Sequence, residues 1–292
     1  MARLEMTVTL CSEATVASTD FVSAGEAQRE QGKSMSGRKR ARGSWLDRYS
    51  ALLVAAALIA AWQILVPLSG ISEFVLPTPL AIAKRIVKDL PLLSTHIYVT
   101  LFEVIFGFAT GVLVGIPLAL AIFYSKAFER AIYPILVGLQ TVPKVSLAPI
   151  LVLYLGYGWA PKIVLAFLIS FFPIVISTVV GLQSLDKNLV NLVRSMGASE
   201  WQTFFKLRLP AALPNIFGGF KVAISLAVIG AVIGEYVAAE RGLGYLQLQA
   251  NSQFDTTLNF ATVVTISILG VMLYFIIDVI EARVSYRRDA AK

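Results

Sequence analysis

The 292-residue chain is 57% hydrophobic and 15% charged, with a formal net charge of +7 at pH 7. Soluble domains carry about 25% charged residues, so this composition excludes an ordinary soluble protein and indicates an integral membrane protein. The only cysteine, Cys11, excludes an intramolecular disulfide, and the only histidine, His96, has no partner histidine or cysteine for a metal site. No paired-carboxylate or nucleophile–histidine pattern indicates an enzyme.

The first 44 residues are polar, basic and rich in Gly and Ser. Such a segment buries too little apolar surface to order itself, so residues 1–44 are predicted to form a disordered cytoplasmic tail before a membrane domain at 45–292. Gly32-Lys33-Ser34 is similar to the end of a phosphate-binding loop, but Ala27 stands where that loop needs a glycine. Nucleotide binding is therefore not expected in the tail.

Six apolar segments are each long enough to cross a bilayer as a helix. They lie near Leu52–Leu68, Val104–Tyr124, Ala131–Leu155, Ile163–Leu182, Ile216–Ala238 and Leu258–Ile280. The predicted fold class is all-α, with about six transmembrane helices. If the N-terminus is inside, most of the 25 lysines and arginines lie in cytoplasmic segments, as the positive-inside rule requires. Both termini are then cytoplasmic, and the basic charge reflects topology, with no nucleic acid partner implied.

Between the first two spans, the stretch LPTPLAIAKRIVKDLP places Ile82, Ile86 and Leu90 at steps of four. This spacing predicts a short amphipathic helix on the outer surface, started by Pro79 and ended by Pro91.

Glycines recur every four residues at Gly107, Gly111 and Gly115 in the second span, and at Gly230 and Gly234 in the fifth. This spacing lets helix backbones approach closely. The contact is expected within one bundle or between two copies of the chain.

Pro143 and Pro149 interrupt the third span, with Lys144 beside the first break. Broken helices lie at substrate paths in transporters, so these three residues are candidate path residues. Lys144 either attracts an anionic solute or extends its ammonium towards the inner membrane surface.

Between spans four and five, residues 187–209 form a polar cytoplasmic segment. Gly197 is expected to end one helix, and Ser199 with Gln202 forms a capping box that opens another. Pro210 is expected to close this second helix, and Pro214 to start the next span.

The second helix of this segment carries an aromatic face made of Trp201, Phe204 and Phe205. Three interpretations remain open: a helix on the inner membrane surface, a lid on the protein's own spans, or a docking element for a separate protein.

Nine residues separate Gly197 from the stretch Leu207-Arg208-Leu209-Pro210. This spacing resembles the cytoplasmic signature of binding-protein-dependent ABC importer permeases, although Asn191-Leu192-Val193 replaces its Glu-Ala-Ala. The stretches LPTPLAIAKRIVKDLP, QTVPKVSLAPILVLYLGYG and RGLGYLQLQANSQFDT resemble the branch for nitrate, sulfonate, taurine and bicarbonate, which includes pyrimidine-precursor and riboflavin importers. The resemblance covers about residues 50–285.

The resemblance implies a type I ABC importer permease fold in a bacterial inner membrane. Implied partners are a second permease copy, ABC ATPase subunits that bind ATP and Mg²⁺, and an outside solute-binding protein, while this chain itself binds no cofactor and is no enzyme. The coupling residues would be Arg194, Ser195, Gly197, Ala198, Ser199, Glu200, Trp201, Phe204 and Phe205. Glu235 and Glu240 would be outer-gate or binding-protein contacts, or else plain carboxylates exposed at the membrane interface.

Two rival functions are a secondary transporter and a membrane sensor that transports nothing. A secondary transporter carries its own ion-coupling residues near the midplane of the membrane. Acidic residues here lie mainly near the ends of the predicted spans, which favours the importer permease.

Overall fold

A computed structural model describes the chain over residues 45–289 and its side chains over 53–284. Within these limits every regular element is helical, which confirms the predicted all-α class. The elements are α1 (Trp45–Leu68), α2 (Pro79–Lys88), α3 (Leu90–Tyr124), α4 (Lys126–Gln140), a 3₁₀ turn (Lys144–Leu147), α5 (Ala148–Leu155), α6 (Trp159–Gln183), α7 (Lys187–Ser195), α8 (Glu200–Thr203), a π turn (Phe204–Arg208), α9 (Leu209–Ala238), α10 (Leu243–Ser252) and α11 (Thr256–Asp289). The predicted tail, with Cys11, lies outside the described residues.

The chain consists of two units, Met1–Ala61 and Trp62–Lys292. The first unit contributes the beginning of α1 to the described residues. The second holds the remaining helices and all the sites that follow.

Four helical segments are long and apolar enough to cross a bilayer: Leu90–Tyr124, Trp159–Gln183, Glu200–Ala238 and Thr256–Val284. A fifth candidate is the pair formed by α4 and Lys144–Leu155, which is bent by 88°. The apolar part of α1, Leu53–Leu68, is shorter. These six elements match the six predicted spans in order.

The second span starts at Leu90, well before the boundary predicted near Val104. Its first turns are polar but helical, and their hydroxyl groups are satisfied by carbonyls of the same helix. Ser94 and Thr95 donate to the Pro91 carbonyl at 2.8 and 3.2 Å. An acidic residue expected at the edge of the span, Glu103, therefore lies inside it.

Helix α6 lies at the centre of the bundle and packs along both α3 and α9. A Cβ atom on Gly107 would lie 2.5 Å from the Ala166 Cβ, and one on Gly230 would lie 2.7 Å from the Ala166 Cα. Both glycines thus let their helices approach α6 at the same residue. The interpretation of these glycines as contacts within one bundle is confirmed at this site.

The break in the third span occurs where two prolines were predicted to interrupt it. Pro143 precedes the 3₁₀ turn, and Pro149 lies in the first turn of α5. Proline lacks the N–H that continues a helical ladder, which accounts for the 88° bend.

The amphipathic helix between the first two spans is present as α2, opened by Thr78 and Pro79. Ile82 is buried, and Arg85 binds Asp89 and, at 2.7 Å, Asp255. The prediction that Pro91 ends this helix is wrong. Asp89 already caps α2, and a proline fits the first turn of the next helix because no N–H is needed there.

Two glycines of α9 give a matched test of this packing. Gly230→Ala places a methyl group against the α6 backbone, and such overpacking costs about 1–3 kcal/mol. Gly218→Ala meets nothing within 4 Å and should keep or raise stability, because alanine favours a helix. We expect the unfolding temperature of the purified chain to fall for Gly230→Ala alone. Equal temperatures for both variants would contradict the close approach.

Candidate functional site

Helix α7 ends in a turn that its own backbone hydrogen bonds hold in place. Gly197 has a φ of +87°, the left-handed conformation that glycine adopts without strain. Its N–H donates to the Arg194 carbonyl at 2.9 Å, and the Ala198 N–H donates to the Val193 carbonyl at 3.3 Å. This pair of bonds is a Schellman motif. The predicted glycine turn is confirmed.

Beyond the turn, the start of α8 is fixed by side chains. Ser199 Oγ accepts from the Gln202 N–H at 3.2 Å, and Gln202 Oε1 accepts from the Ser199 N–H at 3.0 Å. The predicted capping box is therefore present. An ion pair at 2.5 Å between Arg194 Nη2 and Glu200 Oε1 joins the two helices across the turn.

One face of this segment rests on the protein's own spans. Phe204 is buried, with its ring centroid 5.9 Å from that of Tyr124. The Arg208 guanidinium lies 4.9 Å from the centroid of the Phe123 ring. These contacts fix the segment against the end of α3.

The other face is apolar and exposed. Trp201 and Phe205 are 72% and 52% exposed, and their rings stack with centroids 5.3 Å apart. Leu192 and Met196 are exposed beside the turn. The prediction of one aromatic face is wrong for Phe204, because its ring packs against Tyr124 while Trp201 and Phe205 stay exposed.

Two further expectations for this segment need correction. Pro210 does not close the second helix, because α8 continues through the π turn into α9, where Pro210 occupies the first turn. Pro214 lies inside α9 and does not start it.

The candidate coupling residue Ser195 bonds within its own helix, where its hydroxyl donates to the Asn191 carbonyl at 2.9 Å.

The candidate path residue Lys144 sits in the break between α4 and α5. Its Nζ donates to the Gln140 carbonyl at 3.1 Å and lies 4.8 Å from the centroid of the Phe172 ring. The side chain is half-buried. Its charge therefore faces a carbonyl and an aromatic ring.

Glu235 is only 1% exposed, so the alternative of a carboxylate exposed at the interface is wrong. Its Oε1 accepts from Thr100 Oγ1 at 2.6 Å, and its Oε2 accepts from the Gly244 N–H at 2.5 Å. Thr100 Oγ1 also accepts from the Leu243 N–H at 2.8 Å. Together these bonds hold the turn that joins α9 to α10.

His96 holds the same turn. Its Nδ1 lies 3.0 Å from Gly242 N and 2.9 Å from Gly242 O, so each ring tautomer has a partner in that residue. A Cβ atom on Gly242 would overlap the Glu235 carboxyl group. Glycine is therefore required for the turn to reach this carboxyl.

Glu235 belongs to a buried ion cluster with Glu103 and Lys162, two residues that the sequence did not indicate. Glu103 and Lys162 form an ion pair between α3 and α6. They are 0% and 3% exposed, and the Glu103 carboxyl group also lies beside that of Glu235. Lys162 lies in the first turn of α6. A buried charge inside a span needs a partner of opposite charge.

Glu240 is exposed, unlike Glu235. It lines a cavity of about 740 Å³ beside the cluster, together with Arg241 and Lys162. Among the residues whose side chains are described, no group of three His, Cys, Asp or Glu could hold a metal ion.

Residues 111–287 match the family described as binding-protein-dependent transport system inner membrane component. The formylaminopyrimidine transport permease protein ThiX of Halalkalibacterium halodurans is 38% identical, over 77% of this chain and 90% of its own. The putative aliphatic sulfonates transport permease protein SsuC of Bacillus subtilis is 31% identical, over 87% and 91%.

A solved chain of the MetNI methionine ABC transporter, in an inward-facing conformation, has the same fold. It superposes with a TM-score of 0.59 at 22% identity, over 68% of this chain and 98% of its own. The predicted permease fold and the resemblance to this branch of importers are confirmed.

Thr100 and Thr178 give a matched test of the hydrogen bonds that hold the turn between α9 and α10. Thr100→Val leaves a carboxyl oxygen without its donor and the Leu243 N–H without its acceptor, a loss of about 1–3 kcal/mol for each group. Thr178→Val removes only a 2.6 Å bond to the Ile174 carbonyl of its own helix. We expect faster hydrogen exchange at the amides of residues 242–246 in Thr100→Val alone. Unchanged protection of these amides in Thr100→Val would show that Thr100 does not hold the turn.

Proposed function

Because the chain belongs to the family of binding-protein-dependent transport system inner membrane components, and is thus an ABC importer permease subunit, we propose that residues 194–205 bind a separate ATPase subunit. The observation that carries this proposal is the exposed stack of Trp201 on Phe205. Aromatic side chains of this kind are frequent anchors of protein interfaces.

The stiffness of the segment supports the same role. The Schellman turn, the capping box and the ion pair between Arg194 and Glu200 all limit its motion. A segment that transmits a push from a partner must not absorb it by bending. The buried Phe204 provides the contact through which a push would reach α3.

The length of the helical run that begins within this segment favours docking over a position on the membrane surface. Glu200–Ala238 is a run of 39 residues, which corresponds to about 58 Å of helix at 1.5 Å per residue. The hydrocarbon core of a bilayer is about 30 Å thick. If the run is straight, part of it projects beyond the bilayer, where a soluble partner can reach it.

The proposal extends to the remaining parts of the assembly, and membership of the family supports it. Two copies of this chain form the path in a bacterial inner membrane, with both termini in the cytoplasm. An outside solute-binding protein delivers a small solute, and the ATPase subunits bind ATP and Mg²⁺. Along the path, Pro143, Lys144 and Pro149 form its bent wall, while Glu235 and Glu240 belong to the outer gate.

The docking role predicts which variants lose the ATPase. Trp201→Ala should weaken binding by about 2 kcal/mol or more, equivalent to roughly a 30-fold rise in Kd. Gly197→Val should weaken binding similarly, because a β-branched residue is strained at this positive φ. Gly197→Asn should keep binding, because asparagine tolerates the left-handed conformation. The control is Phe275→Ala, which removes an exposed ring of α11.

The measurement is the Kd of the purified ATPase subunit for permease in nanodiscs, with folding checked by thermal unfolding. Wild-type Kd values for both Trp201→Ala and Gly197→Val would rule out docking and leave the membrane-surface interpretation.

The proposed topology predicts which cysteines an impermeant maleimide reaches. Replacing the only native cysteine by Cys11→Ser gives a clean background. In intact cells, Gln253→Cys should be labelled from outside and Ser199→Cys should not, while both are labelled once the cells are opened. Labelling of Ser199→Cys in intact cells would reverse the orientation.

A further inference from the structure

The cavity of about 740 Å³ is an outer chamber at the ends of α3, α6 and α9. Lys162 contributes to its wall, and Glu240 and Arg241 lie at the end of α9. Cavities of this size hold small organic molecules in many proteins. The chamber therefore has room for a transported solute.

Three aromatic rings line the outer chamber, those of Tyr98, Tyr157 and Trp159, and all three are exposed. Trp159 is supported from the side by Phe102, with centroids 4.4 Å apart. Within residues 53–284, neither tyrosine hydroxyl has a hydrogen-bond partner. The chamber thus offers flat faces for stacking and two hydroxyl groups for hydrogen bonds.

The charged residues around the outer chamber leave it without an excess of positive charge. Lys162 is the only cation of the buried wall within the described residues, and Glu103 pairs with it. Glu235 adds a second buried carboxyl group beside Glu103. Two carboxyl groups therefore face one ammonium, and an entering anion meets no unpaired positive charge there. At the exposed end of α9, Arg241 also lines the chamber and forms no ion pair among the described residues, but the adjacent Glu240 carries the opposite charge.

We propose that the outer chamber is a transit site for a planar solute without net negative charge, and that Glu103 determines this specificity. Glu103 acts through Lys162, whose ammonium would otherwise attract anions. The proposal rests on the proposed function, which puts the chamber on the transport path. The proposal distinguishes between the solutes named for the relatives. A chamber of this kind admits an uncharged ring, such as a formylaminopyrimidine, and rejects an aliphatic sulfonate.

The test measures which charged reagents enter the chamber. Tyr157→Cys is built in the full chain with Cys11→Ser, reconstituted in nanodiscs. It is treated separately with methanethiosulfonates that carry a benzyl, a sulfonate or a trimethylammonium group. Rates are divided by those at Ser72→Cys, an exposed loop position, which corrects for the intrinsic reactivity of each reagent.

The expected result is a graded response to charge. The corrected benzyl rate exceeds the sulfonate rate in the parent protein. Glu103→Gln raises the ratio of sulfonate to trimethylammonium rates by about tenfold, and Lys162→Met lowers it by about as much. The double variant returns the ratio to the parent value, which a loss of folding would not do.

Three outcomes overturn the proposal. The first is a sulfonate rate above the benzyl rate in the parent, and the second is a ratio that the charge variants leave unchanged. The third is reaction of Tyr157→Cys with the benzyl reagent alone. This is the pattern expected at Leu113→Cys, an exposed position in the middle of α3 that serves as a reference. That pattern would make the rings a belt at the membrane interface. ATPase binding is measured on the same variants. It tests the proposed function separately from the specificity of the chamber.

Discussion

The close approach of three helices at Ala166 is the constraint on which the rest of this bundle depends. Gly107 and Gly230 have no side chains there, so α3 and α9 both come within contact of α6. Glu103 lies one turn before Gly107, and Lys162 lies one turn before Ala166. The same approach therefore brings the two charges together. Bulkier residues at the crossing would separate them and leave each charge unpaired in an apolar interior.

One helical run connects the Gly197 turn with the turn between α9 and α10. Glu200–Ala238 begins just after the Gly197 turn and ends beside the turn that Glu235 holds. A displacement of the Glu200 end along the helix axis would therefore reach the Glu103, Lys162 and Glu235 cluster at the other end. The π turn at Phe204–Arg208 is the one irregular section of this run, and π turns frequently occur at functional sites.

Local features could be read from the sequence, and features made by distant residues could not. The turn at Gly197 and the capping box at Ser199 depend on neighbours within a few residues, so their pattern was sufficient. The pairing of Glu103 with Lys162 joins two helices, and no spacing in the chain indicates it. Pro210 was misread because proline both ends helices and begins them, and only the following helix decides between the two.

The sequence singled out Glu235 as a site residue, and the structure contradicts only the alternative of an exposed carboxylate. Its position near the end of a hydrophobic span indicated an outer carboxylate. Burial depended on Thr100 and on the return of the chain at Gly242 and Gly244, which supply the donors and the space. A lone histidine, His96, gave a weak signal for the same contact, because it is an unusual residue at the start of a span.

The ion pair between α3 and α6 has a consequence for the synthesis of the protein. Glu103 leaves the ribosome about 60 residues before Lys162, a delay of about 3–12 s at 5–20 residues per second. During that interval α3 must enter the membrane with a carboxyl group whose ammonium partner does not yet exist. Its 35 residues, which are strongly apolar beyond the first turns, provide the hydrophobicity that outweighs one acidic side chain. Assembly of the bundle is thus tied to the arrival of α6, and a chain that stops before Lys162 carries an acid that an insertion quality-control system can recognise.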